Sequence, residues 1–292
     1  MKNKILFLVL VLIHSGCSSY HLHRTVSYYV VGDQDQWQLF MGINAYNDIV
    51  SGVKDSNRKK VVFIKITAGD GSCDGTPVKS PEYYYSREGG QTRAVEFCAD
   101  QNGIREEGHG RRDTILNHDI LKYEYKNVVS YCLRLPGGCR NSGFNGQSLQ
   151  NLHDGLTPSL YAIDSTTYYA SWNDLVNTVR QIIINENTGI PEMIFNTADT
   201  DVTINPGDNP DNIYTGILCF DATASIPHIR LNLFQEYNTA NLPVNLKDNE
   251  IATEAALFGQ MDYSLTNFSY PSEFTPEKVK CTARNYFRTI IR

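Results

Sequence analysis

Four short apolar runs, each stopped by a turn-forming residue, constrain this chain most. Val26-Ser27-Tyr28-Tyr29-Val30-Val31 ends at Gly32-Asp33, and Val61 to Ala68 ends at Gly69-Asp70-Gly71. Asn127 to Leu133 and Glu192 to Thr197 are the third and fourth. Runs this rich in β-branched and aromatic residues suit strands covered on both faces. Helical patterns lie between them. Tyr84 to Ala99 carries Arg87, Ala94, Val95 and Phe97 at helical spacing. Ser171 reads as an N-cap, with Asp174 three residues on, before Leu175, Val176, Val179, Ile182 and Ile183. Thr275-Pro276 opens a last helix, with proline at the first position where its missing N–H costs nothing. Strands alternating with helices predict an α/β fold: a mostly parallel, Rossmann-like sheet flanked by helices. Residues 101 to 118, dense in Arg and Glu, read as a solvated loop.

The N-terminus reads as an address. Lys2 and Lys4 precede nine apolar residues, Ile5 to Ile13, and then Ser15-Gly16-Cys17. Nine residues are too few to span a bilayer, but they match the core of a secretory signal. The expectation is a signal peptide over 1–17 and one domain over 18–292. The product would be exported: secreted, periplasmic, or anchored to a membrane by a lipid on Cys17. Besides Cys17 there are six cysteines, an even set that an oxidising compartment would allow to pair. Cys132 and Cys139 are closest in sequence and form the first candidate disulfide. No CxxC pair and no zinc-type histidine spacing is present, which disfavours a thiolate metal site.

Composition removes other classes. With 41% hydrophobic and 20% charged residues the chain is neither disordered nor a multispanning membrane protein. A net charge of -6 argues against nucleic acid as a partner, because phosphate binding needs surplus Lys and Arg.

In open α/β sheets ligands sit beyond the carboxyl ends of the strands. Two polar stretches fall there: Gly32-Asp33-Gln34-Asp35-Gln36-Trp37 and Asn205-Pro206-Gly207-Asp208-Asn209-Pro210-Asp211-Asn212. Asp and Asn at such spacing also build ordinary turns.

These loops and the segments around them resemble the PIG-L-type (LmbE-like) zinc de-N-acetylases. Asp33-Gln34-Asp35-Gln36 is similar to that family's His-Pro-Asp-Asp signature, and Thr67-Ala68-Gly69-Asp70 to its Thr-Ala-Gly-Asp turn. Arg87 to Ala94 resembles the following helix. Leu133-Arg134-Leu135-Pro136-Gly137-Gly138 resembles Leu-Arg-Leu-Pro-Asp-Gly, and Gly207 to Asn212 falls where the family has Asp-His-Ser-Asp-His. The resemblance implies a zinc ion that activates water for attack on an N-acetyl sugar. Carried over residue by residue, Asp33, Gln36 and Asn212 occupy the metal-ligand positions, all substituted. Asp35 retains the general-base position, and Asn209 stands where the catalytic histidine would be. Arg87 and Arg134 fall at substrate-binding positions. Amide oxygens are poor zinc donors and Asn is no general acid, so the resemblance implies lost zinc chemistry with a retained glycan or N-acetyl-sugar cleft. The alternative is an active de-N-acetylase with a rearranged metal site, in which His109 or His153 reaches the cleft. No cofactor is expected: zinc if the chain is active, with calcium or magnesium as a further alternative because the replacements are oxygen donors.

Overall fold

The computed structural model describes residues 24–55, 58–70, 80–138, 143–187 and 189–292. The leader, Cys17, Cys73 and Cys139 lie outside the described residues. Eight strands form the main sheet: β1 (Thr25–Val31), β2 (Lys59–Thr67), β3 (His109–Ile115), β4 (His118–Tyr125), β5 (Val128–Leu135), β8 (Glu192–Ala198), β9 (Ile229–Phe234) and β10 (Phe287–Ile291). A separate hairpin joins β6 (Leu160–Tyr161) to β7 (Tyr168–Tyr169). The helices are α1 (Gln36–Phe40), α2 (Gly42–Lys54), α3 (Pro81–Ala99), α4 (Leu149–His153), α5 (Trp172–Glu186), α6 (Pro210–Thr223), α7 (Asp248–Asn267) and α8 (Pro276–Cys281).

The strand order is β10-β9-β8-β1-β2-β5-β4-β3. The five inner strands from β9 to β5 are parallel, and antiparallel strands close both edges. All four strands read from the sequence lie in this parallel block. They are apolar because each face meets a core. Tyr28, Val62, Tyr131 and Phe195 pack toward α5 and α6, while Tyr29, Phe63 and Val61 pack toward α2, α3 and α7. Among the described residues no helix is long and apolar enough to cross a membrane.

The Ser171 cap forms, and the last helix opens at Pro276 as expected. The Ser171 hydroxyl accepts the Asp174 N–H at 3.2 Å and the Thr275 hydroxyl accepts the Lys278 N–H at 3.4 Å. Residues 101–118 are not one solvated loop, because β3 occupies 109–115. Leu116 and Asn117 both adopt positive φ (48° and 71°), as a tight hairpin turn requires. Arg105, Glu106 and Glu107 do lie in exposed irregular chain before β3, whereas Arg111 and Arg112 belong to the edge strand itself. Arg111 bonds Asp113 and Glu124, and Arg112 reaches Asp164 at 2.8 Å. Such charges keep an edge from pairing with another chain.

The cysteine expectation is also corrected. Cys98, Cys132, Cys219 and Cys281 are free and buried, each packed as a small apolar group. Cys132 lies in β5 as a free thiol, and its expected partner Cys139 lies outside the described residues.

Candidate functional site

The sheet order reverses between β1 and β8. The chain runs outward through β2 and β5 on one side and through β8 and β9 on the other. Loops leaving two such strands diverge, which opens a crevice at their carboxyl ends. The loop after β1 (32–35) and the loop after β8 (199–209) both enter it. A cleft of about 170 Å³ results, lined among others by Asp33, Asp35, Asn209, Arg87, Tyr237 and Lys278. The two sequence-predicted loops therefore meet at one place.

One half of the site is an ion network. Asp35 is 2% exposed. Its Oδ1 accepts from Arg87 at 2.8 Å and its Oδ2 from the Lys278 ammonium at 2.7 Å. Arg87 also reaches Asp33 at 3.2 Å and Glu273 at 3.0 Å, and Lys278 reaches Glu273 at 2.6 Å. Burial alone would raise Asp35, but the two cations outweigh it and hold this carboxyl far below the usual range. Loss of water and the adjacent Asp35 charge push Asp33 well up, against Arg87. Asp33, Asp35 and Glu273 thus share the two cations Arg87 and Lys278.

The other half is an amide cluster around Glu236, which is fully buried. Gln36 Nε2 donates to Glu236 Oε1, and Asn212 Nδ2 donates to Glu236 Oε2. The Gln36 oxygen faces away and accepts from the Gly32 N–H. A Cβ at Gly32 would stand 2.9 Å from Asn212 Oδ1, so only glycine permits this approach. Glu236 is placed by Asn205, whose Oδ1 accepts the Glu236 N–H at 2.9 Å while its Nδ2 donates to the carbonyls of Asp199 and Phe234. Burial and the nearby Asp208 push Glu236 well above the ordinary range. Burial likewise raises Asp208 to about 6, although the Asn209 N–H and Asn212 amide bonded to it oppose the shift.

Asn209 is the N-cap of α6: its Oδ1 accepts the Asp211 N–H at 3.0 Å, and Pro210 follows. Asp211 in turn accepts from Gly138 N–H at 2.8 Å, and Asp70 from Gly137 N–H at 3.0 Å, which ties the loop after β5 to the cleft floor. Arg134 is not among the residues lining the cleft. Its guanidinium grips Glu88 through two bonds of 2.8 and 2.6 Å and Asp164 through one of 2.7 Å, so it fastens α3 to the loop before β7. His109 is exposed on the edge strand, and His153 packs against Trp172 and Tyr214. Neither lines the cleft, nor does any other histidine among the described residues.

Zinc does not fit this donor set. At two of the three positions the atom facing the centre is an amide N–H, which repels a cation. The third position, Asp33, is engaged by Arg87. The same donors fail for calcium and magnesium, which need converging oxygens. Among the described residues no group of three His, Cys, Asp or Glu side chains is arranged to hold a metal.

No protein-family model and no curated protein matches the chain. Solved structures do resemble it. An N,N'-diacetylchitobiose deacetylase from Pyrococcus horikoshii, bound to its inhibitor, shares 10% identity at a TM-score of 0.45, over 84% of this chain and 74% of that one. A triple mutant of a deacetylase from the teicoplanin biosynthetic pathway shares 11% at 0.45, over 92% and 98%. The zinc-inhibited form of a teicoplanin deacetylase shares 12% at 0.42, over 92% and 98%.

Sequence reading did not single out Glu236, Glu273, Lys278 or Tyr237. No local motif surrounds them. Lys278 lies 243 residues from Asp35 and Glu236 lies 200 from Gln36.

Proposed function

We propose that this chain is an exported, deacetylase-like α/β domain that has given up zinc-dependent hydrolysis and binds an N-acetyl sugar or a glycan end in its cleft. The observation that carries the first half is the state of Asp35. A general base must take a proton from water near neutral pH, and that requires a pKa near the working pH. Two cations at 2.7 and 2.8 Å stabilise the Asp35 anion instead. The carboxylate is there, but its basicity is spent on the ion network.

The binding half rests on the chemistry of the lining. Tyr83 and Tyr237 supply aromatic surface, and Asp33, Asn209 and Lys278 supply donors and acceptors within one small cavity. At about 170 Å³ it suits one small polar ring rather than a drug-sized ligand. The test is a calorimetric titration of the purified protein with N-acetylglucosamine and chitooligosaccharides, paired with an acetate-release assay with and without added zinc. Binding that weakens in Tyr237→Ala, with no acetate released, supports the proposal. Acetate release, or no binding to any of these sugars, overturns it.

A further inference from the structure

The centre of the Gln36–Asn212 cluster has the opposite polarity from a cation site. Two side-chain amides, one from the start of α1 and one from the first turn of α6, aim N–H donors at the same point. Their oxygens are turned outward: Gln36 Oε1 takes the Gly32 N–H, and Asn212 Oδ1 lies over the Gly32 Cα. These orientations are fixed by their partners, because flipping either amide would place its oxygen against a Glu236 oxygen. The group that fills the centre is a carboxyl group, and both its oxygens are used.

We infer that the position between Gln36 and Asn212 is a carboxylate-binding site that the chain fills with its own Glu236. This side chain cross-links the loop after β1 to the start of α6, a task for which a metal would need ligands facing inward. The inference is independent of what the neighbouring cleft binds. It concerns a different set of atoms, since neither Gln36, Asn212 nor Glu236 lines that cleft. Asp208 is the other acid facing the cluster and accepts from Asn212 Nδ2 at 3.3 Å, so the same amide serves both carboxyl groups.

A site built for a carboxylate should accept one from solution when its own is removed. Glu236→Ala leaves two amide donors around a void. Its melting temperature should rise by about 5 °C in formate near saturation, relative to chloride of equal ionic strength. Wild type should show no difference between the two salts, and zinc or calcium should not stabilise the variant. Equal melting in formate and chloride, or stabilisation by either metal, overturns the inference. A second variant covers the case in which Glu236→Ala does not fold. Gln36→Glu keeps the acceptor for Gly32 N–H but turns an oxygen toward Glu236. It should melt below wild type and gain nothing from millimolar zinc or calcium. Unchanged melting, or a metal-dependent rise, overturns the inference.

Discussion

Lys278→Met is the most direct perturbation of the ion network, because it keeps the aliphatic stem and removes only the ammonium. In the wild-type fold that ammonium bonds Asp35 at 2.7 Å and Glu273 at 2.6 Å, and its side chain is 19% exposed. Removing one partner of a buried pair costs about 3–5 kcal/mol; partial exposure and the remaining Arg87 lower this to about 2–4 kcal/mol. For a domain of this size the melting temperature should fall by about 5–10 °C. The pH dependence has a definite sign. Glu273 is held down to about 2, and Asp35 lower still, by Arg87 and Lys278 working against burial. Stability from depressed carboxyls is complete above their unfolded values and is lost as pH falls through the folded ones. In the variant both carboxyls lose a cation and titrate at higher pH. The gap between the two proteins should therefore be widest near pH 7 and clearly narrower at pH 4. Differential scanning calorimetry at both values measures it. An equal gap at the two pH values, or a loss under about 1 kcal/mol at pH 7, would refute the assignment of Lys278 as counter-ion to Asp35.

Gly69→Ala should destabilise by at least about 1–3 kcal/mol, because φ is +54° and the new Cβ would stand 2.7 Å from Arg87 Nε and 2.8 Å from Gln34 Oε1; urea denaturation measures it. Arg134→Lys should lose about 1–3 kcal/mol, since an ammonium cannot reproduce the fork to Glu88 while holding Asp164; the denaturation midpoint should fall with the slope unchanged. The thiols of Cys98, Cys132, Cys219 and Cys281 should resist iodoacetamide at pH 8 in the native protein and react after unfolding, as peptide mass mapping would show. All four are buried, and burial pushes Cys132 up to about 11 and Cys219 to about 12.

The sequence made the parallel block legible because a strand covered on both faces must be apolar along its whole length. β9, the fifth strand of that block, escaped because Arg230 and Asn232 interrupt its apolar run. The edges escaped for the same reason. β3 carries Arg111, Arg112 and Asp113 in a row and is exposed over most of its length, and β10 spans five residues, four of them exposed. The site was half legible. Asp33, Asp35, Gln36, Asn209 and Asn212 sit in the loops after β1 and β8 or in the first turns of the helices that follow, which topology brings to the switch point, so their convergence follows from strand order. Their partners do not. Glu236 and Lys278 are defined by which donor or charge they answer across the fold. Arg134 shows the converse, since its motif suggested ligand binding whereas two distant carboxylates, Glu88 and Asp164, occupy it.

The polar residues at the switch point behave as one coordinated set. A metal site that had merely decayed would leave buried polar atoms without partners around the lost ion, each costing about 1–3 kcal/mol. Asp35, Gln36, Asn212 and Glu236 have no such atom, although Asp208 Oδ2, Gln34 Oε1 and Arg87 Nε nearby do. Each residue also makes sense only beside another. Amides at 36 and 212 need an acceptor between them, and Glu236 is it. A buried carboxylate at 35 needs positive charge, and Arg87 and Lys278 provide it. Changing Glu236 alone in a chain with ligating oxygens at 36 and 212 would place acceptor against acceptor. Changing Lys278 alone leaves Asp35 and Glu273 sharing one guanidinium. The two halves thus invert the electrostatics of a cation site in opposite senses, with fixed cations near Asp35 and a fixed carboxyl group where the amides point. A divalent ion entering either half would meet like charge or N–H dipoles, and introducing a single His at 33 or 212, or a single Asp at 36, would not change that.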